Sequence, residues 1–189
     1  MKNALVCIDY INEIVHPNGK LAGKGYARFV DDHATFDRLR EAQDRFRSRG
    51  DMVLHVRVGF SKNYDEHPAQ SVLLGKAKQF EALQLGTWGT EFAEKVAPHS
   101  EEVVINKHRI SAFHNTALDT ILRVQRVDNV YLAGVATDLA VQSAARDAHD
   151  RDYLVTVLGD ACAAANEEDH NTSLKLLEKI ASVITVSEI

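Results

Sequence analysis

The sequence predicts an α/β protein, a three-layer αβα sandwich built on a six-stranded, mostly parallel sheet. Short apolar runs of strand length alternate with amphipathic segments along all 189 residues. Several of the runs are continuously apolar, as strands covered on both faces must be. Repeated strand–helix–strand units imply right-handed crossovers with helices on both sheet faces. No internal repeat, Gly/Ser linker or low-complexity tract interrupts the pattern, so residues 1–189 read as one domain.

The elements follow in order. Ala4 to Ile8 is a continuously apolar strand. Arg28 to Arg49 is amphipathic, with Phe29, Val30, Phe36, Leu39, Ala42 and Phe46 at helical spacing among charges, and Gly50 closes it as a C′ residue. Strands are predicted over Met52 to Val58, Val103 to Asn106, Val130 to Ala133, Leu154 to Leu158 and Val183 to Val186. Helices are predicted over Thr116 to Val124, Asp138 to His149 and Glu167 to Ile180. Gly59 to Ser100 breaks the rhythm, and so long a connection in a compact domain is usually functional. It is expected to roof a site or form a subunit contact; the plainer reading is a helix plus surface loops with Trp88 packed in the core.

Composition narrows the function. The formal net charge of −5 argues against nucleic acid or an anionic membrane as partner, without excluding an anionic small molecule held by local Lys or Arg. No apolar run reaches the ~20 residues of a membrane span, and no basic-then-apolar leader precedes the first strand. Cys7 and Cys162 lie in apolar or small-residue surroundings without a C-x-x-C pairing. A reduced, cytoplasmic protein with two core thiols is expected.

Candidate chemistry gathers at strand ends, where open parallel sheets place their sites. Asp9 follows the first strand and Lys107 the third; alone they read as a turn or cap aspartate and a solvated strand-end charge, but side by side in a parallel sheet they would face one crevice as a tuned acid/base pair. A turn and a helix entry, Gly134 to Ala148, follow the fourth strand. Ala140 would point into the site from the first helical turn, where a cysteine thiolate would be stabilised by the helix N-terminus. Alanine cannot attack. Asn12 is a candidate substrate contact or a loop residue. Arg57 could bind a carboxylate through its guanidinium fork or form a structural ion pair. Phe113 is a candidate substrate wall, with core packing as its rival. Arg146, Asp147 and His170 read as structural. The nine histidines show no metal-ligand spacing and no Gly-rich phosphate loop is present, so neither metal nor cofactor is expected.

Four ordered blocks carry a resemblance: LVCIDYINEIVHPNG (Leu5 to Gly19), VVINKHRISAF (Val103 to Phe113), GVATDLAVQSAARDA (Gly134 to Ala148) and DACAAANEEDHNTSL (Asp160 to Leu174). Together they resemble the isochorismatase-like (cysteine hydrolase) superfamily over nearly the whole chain. The resemblance implies a Rossmann-like, isochorismatase-like hydrolase fold acting on a small polar metabolite, commonly as a homodimer or homotetramer. It places Asp9 and Lys107 at two of three catalytic positions and Ala140 at the third, where most members carry the nucleophilic cysteine. It also implies a cis peptide at Val135–Ala136, with backbone N–H groups around Ala136 and Ala140 as oxyanion donors. Gly86-Thr87-Trp88-Gly89 resembles the loop ahead of the lysine strand. The Asp-x-His metal pair of nicotinamidases is missing: that region reads Val58-Gly59-Phe60-Ser61-Lys62-Asn63.

Three expectations follow from Ala140. The chain is a naturally cysteine-less hydrolase using Asp9 and Lys107 on a vinyl ether or related bond. Or it is a cysteine-dependent amidase or ureide hydrolase whose nucleophile has been replaced. Or it is an inactive small-molecule-binding relative.

Overall fold

A computed structural model describes all residues, Met1–Ile189. Six parallel strands form one sheet: β1 (Asn3–Ile8), β2 (Met52–Val58), β3 (Val103–Lys107), β4 (Asn129–Gly134), β5 (Leu154–Leu158) and β6 (Ser182–Ile184). Their order is β3-β2-β1-β4-β5-β6, and every pairing is parallel. The order reverses between β1 and β4, and at such a switch point the loops above the strands diverge and leave a crevice.

The helices are α1 (Asn12–Val15), α2 (Tyr26–Asp32), α3 (Thr35–Arg49), α4 (Leu118–Val124), α5 (Gln142–His149) and α6 (Glu167–Leu177). Side chains alternate across β1, so Leu5 and Cys7 enter the core beneath α2 and α3, while Ala4, Val6 and Ile8 enter the one beneath α4, α5 and α6. On α5, Ala144, Ala145 and Ala148 are wholly buried, and these small side chains let the helix lie close to β4 and β5. No helix is long and apolar enough to cross a membrane.

Three boundaries correct the sequence expectation. The predicted helix Arg28 to Arg49 is two helices, divided where Ala34 adopts φ +50°. Phe29 and Val30 of α2 and Leu39, Ala42 and Phe46 of α3 still share one core, so the apolar period persisted through a break marked by no Gly or Pro. The last strand ends at Ile184. Val186 is buried in a following single turn, its N–H donating to Asp160 Oδ1 at 2.9 Å. Helix α6 stops at Leu177, and its N-terminus is capped by Asn166, which accepts from Asp169 N–H at 2.9 Å. At the end of α3, Gly50 takes φ +72°, and Gly50 and Asp51 donate to the carbonyls of Arg47 and Phe46, closing the helix as predicted.

Candidate active site

A cavity of about 700 Å³ opens at the carboxyl ends of β1, β2, β3 and β4. Asp9, Lys107, Val135, Ala136 and Ala140 all border it, and all five are buried, so they form its floor.

Asp9 is the first residue past β1. It holds φ +61°, a left-handed conformation that aspartate tolerates better than most residues, while its N–H still donates to Val56 at 2.8 Å. Its Oδ1 accepts from Val58 N–H at 2.6 Å, and its Oδ2 lies 2.7 Å from Lys107 Nζ. Lys107 ends β3, in register with Val58, so the side chain crosses one strand position to reach Asp9. Its ammonium also donates to the carbonyls of Arg109 at 3.1 Å and Ile110 at 2.8 Å. With Asp9 as third acceptor, all three ammonium protons are used, as an ammonium this deep requires. Burial raises the Asp9 pKa above the ordinary carboxylate range, against the opposing pull of Lys107 and the Val58 N–H. Each Asp9 oxygen keeps a lone pair for a proton.

The opposite part of the floor is the turn after β4. The Val135–Ala136 peptide is cis. Residues Thr137–Val141 form one turn of π-helix before α5, a widened geometry frequent at functional sites. Ala136 borders the cavity, and its N–H has no hydrogen-bond partner in the chain. Thr137 N–H donates to Ala163, and Thr137 Oγ1 lies 2.9 Å from His170 Nδ1, tying the turn to α6. The Ala140 methyl completes the floor. No cysteine, serine or threonine borders the cavity.

The connection between β2 and β3 supplies one wall and the roof, through Leu73, Leu74, Ala77, Phe80 and Leu83. A residue that sequence reasoning missed anchors it. Glu13 of α1 is buried, and its carboxylate accepts from the N–H groups of Lys20 at 3.1 Å and Leu83 at 2.9 Å. Gly89 packs so closely that an added Cβ would sit 2.5 Å from Glu13 Oε2. The available signal was a lone acid inside the apolar run Ile11 to Val15.

The other candidate contacts, Asn12, Arg57, Trp88 and Phe113, do not border this cavity. Arg57 is on the β2 face shared with His55. Its Nε donates to Asn106 Oδ1 at 2.8 Å, its Nη1 donates to the Thr90 carbonyl at 2.9 Å, and it lies over the Phe92 ring. Its neighbour Val58 reaches the cavity instead, because adjacent strand residues point to opposite faces. Phe113 is core, against Tyr153 and beneath the Arg151 guanidinium. Asn12 donates to the Trp88 carbonyl at 3.1 Å and so fixes a loop. Trp88 is 45% exposed, edge-on to His16, and is neither core nor cavity wall. Asp147 accepts from Ser111 Oγ and pairs with Arg151 at 2.6 Å, the structural role expected of it. No three His, Cys, Asp or Glu side chains converge closely enough to hold a metal ion.

The family profile described as Isochorismatase domain matches residues 3–188. The chain belongs to the isochorismatase family. It is 30% identical to the uncharacterized isochorismatase family protein YecD of Escherichia coli O157:H7, over 94% of this chain and 82% of that one. It is 27% identical to the ureidoacrylate amidohydrolase RutB of Acinetobacter baylyi, over 92% of this chain and 76% of that one. Among solved structures, an isochorismatase family protein from Desulfovibrio vulgaris superposes with a TM-score of 0.88 at 25% identity, covering 98% of this chain and 95% of that one. The N-carbamoylsarcosine amidase of Thermoplasma acidophilum superposes with a TM-score of 0.80 at 29% identity, covering 100% and 99%. The sheet is that of an isochorismatase-like hydrolase, all parallel rather than mostly so. This is an isochorismatase-family hydrolase.

Proposed function

We propose that this isochorismatase-family hydrolase acts without a covalent intermediate, by acid–base chemistry of Asp9 on a vinyl ether or related bond of a small metabolite. One observation carries the reading: the floor holds a buried Asp9–Lys107 pair, while the opposing position is the Ala140 methyl and no thiol or aliphatic hydroxyl borders the cavity. Protonated Asp9 transfers its proton to the terminal alkene carbon of the enol ether, forming a C–H bond and leaving an oxocarbenium ion. Water adds to that cation. The water-derived oxonium returns one proton to Asp9, and the neutral hemiketal then breaks its ether C–O bond as its hydroxyl proton passes to the departing oxygen, giving an alcohol and a carbonyl compound. Lys107 holds Asp9 in place and stabilises its carboxylate once the proton has left. The free Ala136 N–H is the donor available to position water or the ether oxygen.

The test is a panel of vinyl ethers (isochorismate among them), amides and ureides, offered to the chain and to its Asp9→Asn and Ala140→Cys variants. Vinyl-ether turnover that falls roughly 10²–10⁴-fold in Asp9→Asn supports the proposal. A second reading is favoured by the amidohydrolase and amidase relatives: C–N hydrolysis by a cysteine at position 140, which Ala140 has removed. Amide or ureide turnover that arises only in Ala140→Cys supports that reading and overturns the first. Binding without turnover in every form would identify an inactive relative.

A further inference from the structure

The cavity has two ends of opposite character. Its floor is buried and carries the Asp9–Lys107 pair, whose ammonium is fully hydrogen-bonded. Its solvent end carries Lys20, Lys24, Lys76 and Arg109, all exposed. None of these four is paired with a carboxylate. Lys20 gives one proton to the Glu81 carbonyl, and Arg109 uses Nη1 on the carbonyls of Glu66 and His108. The ammonium groups of Lys24 and Lys76 have no hydrogen-bonded partner in the chain. Asp9 is the one carboxylate that borders the cavity, and it already belongs to Lys107. A chain of net charge −5 therefore places four cations with no ion-pair partner around one opening.

Like charges gathered at the opening of a cleft with apolar walls focus their field into it, and an anion is drawn inward. Between mouth and floor the walls are apolar, with Leu74, Phe80 and Leu139 among them. A small, wholly polar metabolite would leave those walls unpaired with anything that gains from contact. We infer that the substrate is an amphiphilic anion: an acidic group held at the lysine–arginine mouth, an apolar or aromatic body along the walls, and the bond to be broken on the floor beside Asp9. The inference rests on this cavity being the substrate site. It does not depend on which bond is cleaved.

Binding rather than turnover therefore tests it. Calorimetric titration at low ionic strength with 4-phenylbutyrate and with its neutral amide compares two probes of the same shape. The carboxylate should bind about tenfold tighter, as a charge-assisted contact implies, and added salt should erase most of that margin. In Lys76→Gln/Arg109→Gln, which leaves Lys20 and Lys24 at the mouth, the carboxylate's margin over the amide should shrink to about threefold while amide binding stays unchanged. Both positions are exposed, so the fold should tolerate the pair of changes. Equal affinity for the two probes, no binding of either, or a carboxylate preference that is undiminished in the double variant would each overturn the inference. Failure of the acid–base reading would appear as absent vinyl-ether turnover with the carboxylate preference intact.

Discussion

At the scale of single residues, two groups behave in ways that burial dictates. The Asp9 carboxyl is held above its ordinary pKa because its charge has little water around it, and Lys107 offsets that only in part. A group with a raised folded pKa contributes stability that is complete below the unfolded value near 3.8 and is lost as pH rises through the folded value. Under the proposed mechanism the protonated form is the active one. Turnover should therefore fall on the alkaline side as Asp9 ionises, and a pH–rate profile that climbs there instead would exclude Asp9 as the acid. Cys7 and Cys162 are also buried, and desolvation pushes both thiols up to about 12. Neither should react with a thiol-specific chromogenic reagent in the native protein near neutral pH, and both should react once it is denatured. Such protection would separate Cys162 from any nucleophilic role despite its place past β5.

At the scale of elements, ties between loops and strands hold the site's surroundings in place. Glu102, just ahead of β3, sits 2.7 Å from Arg47 of α3 and 3.0 Å from His55 of β2. Burial raises the Glu102 pKa, but the hydrogen bonds from Arg47 and from His99 N–H overcome it and bring it down to about 2. His55 is lowered, by its own burial, despite the carboxylate beside it. The depressed Glu102 pKa means that its contribution is full above about 4.5 and lost as pH falls toward 2. Glu102→Gln should cost about 1 kcal/mol near neutral pH, since solvent screens part of the cluster, and the two proteins should converge in denaturant titrations run at progressively lower pH. Glu13 performs the same kind of work for the cavity roof. Gly89→Ala would drive a methyl into the Glu13 carboxylate. It should lower the thermal midpoint and expose the 59–100 connection to limited proteolysis, whereas Gly23→Ala, which meets nothing within 4 Å, should do neither.

At the scale of the whole molecule, the sheet order makes the site. Asp9 leaves β1 and the Val135–Ala136 turn leaves β4, the adjacent strands between which the order reverses, so their loops part and the crevice forms there. Lys107 arrives from two strands away, and the length of its side chain is what lets the edge strand contribute to a site at the centre. Both faces of this central pair are buried, so a void there weakens the whole domain. Leu132→Ala on β4 should destabilise by about 2–5 kcal/mol. Its denaturant midpoint should drop with unchanged slope, as expected where the two cores unfold as one unit.

The sequence by itself determined the layering, the parallel sheet and the floor of the site. Continuous apolar runs report strands covered on both sides, and a charged residue directly after such a run emerges at a strand end; the resemblance of the surrounding blocks is what set Asp9 and Lys107 apart from capping or solvated charges. Ala140 was legible through its place in the turn motif. Tertiary structure decided the rest. Ala34 breaks a helix whose apolar period runs on across the break, because both halves bury their apolar faces in one core. Arg57 and Phe113 carry side chains suited to a pocket, but strand alternation and packing against Phe92 and Tyr153 turn them elsewhere. The cationic mouth draws Lys20, Lys24, Lys76 and Arg109 from three distant stretches of chain. No linear motif records such a cluster, because its members meet only where the segment after α1, the connection between β2 and β3, and the loop after β3 converge on one opening.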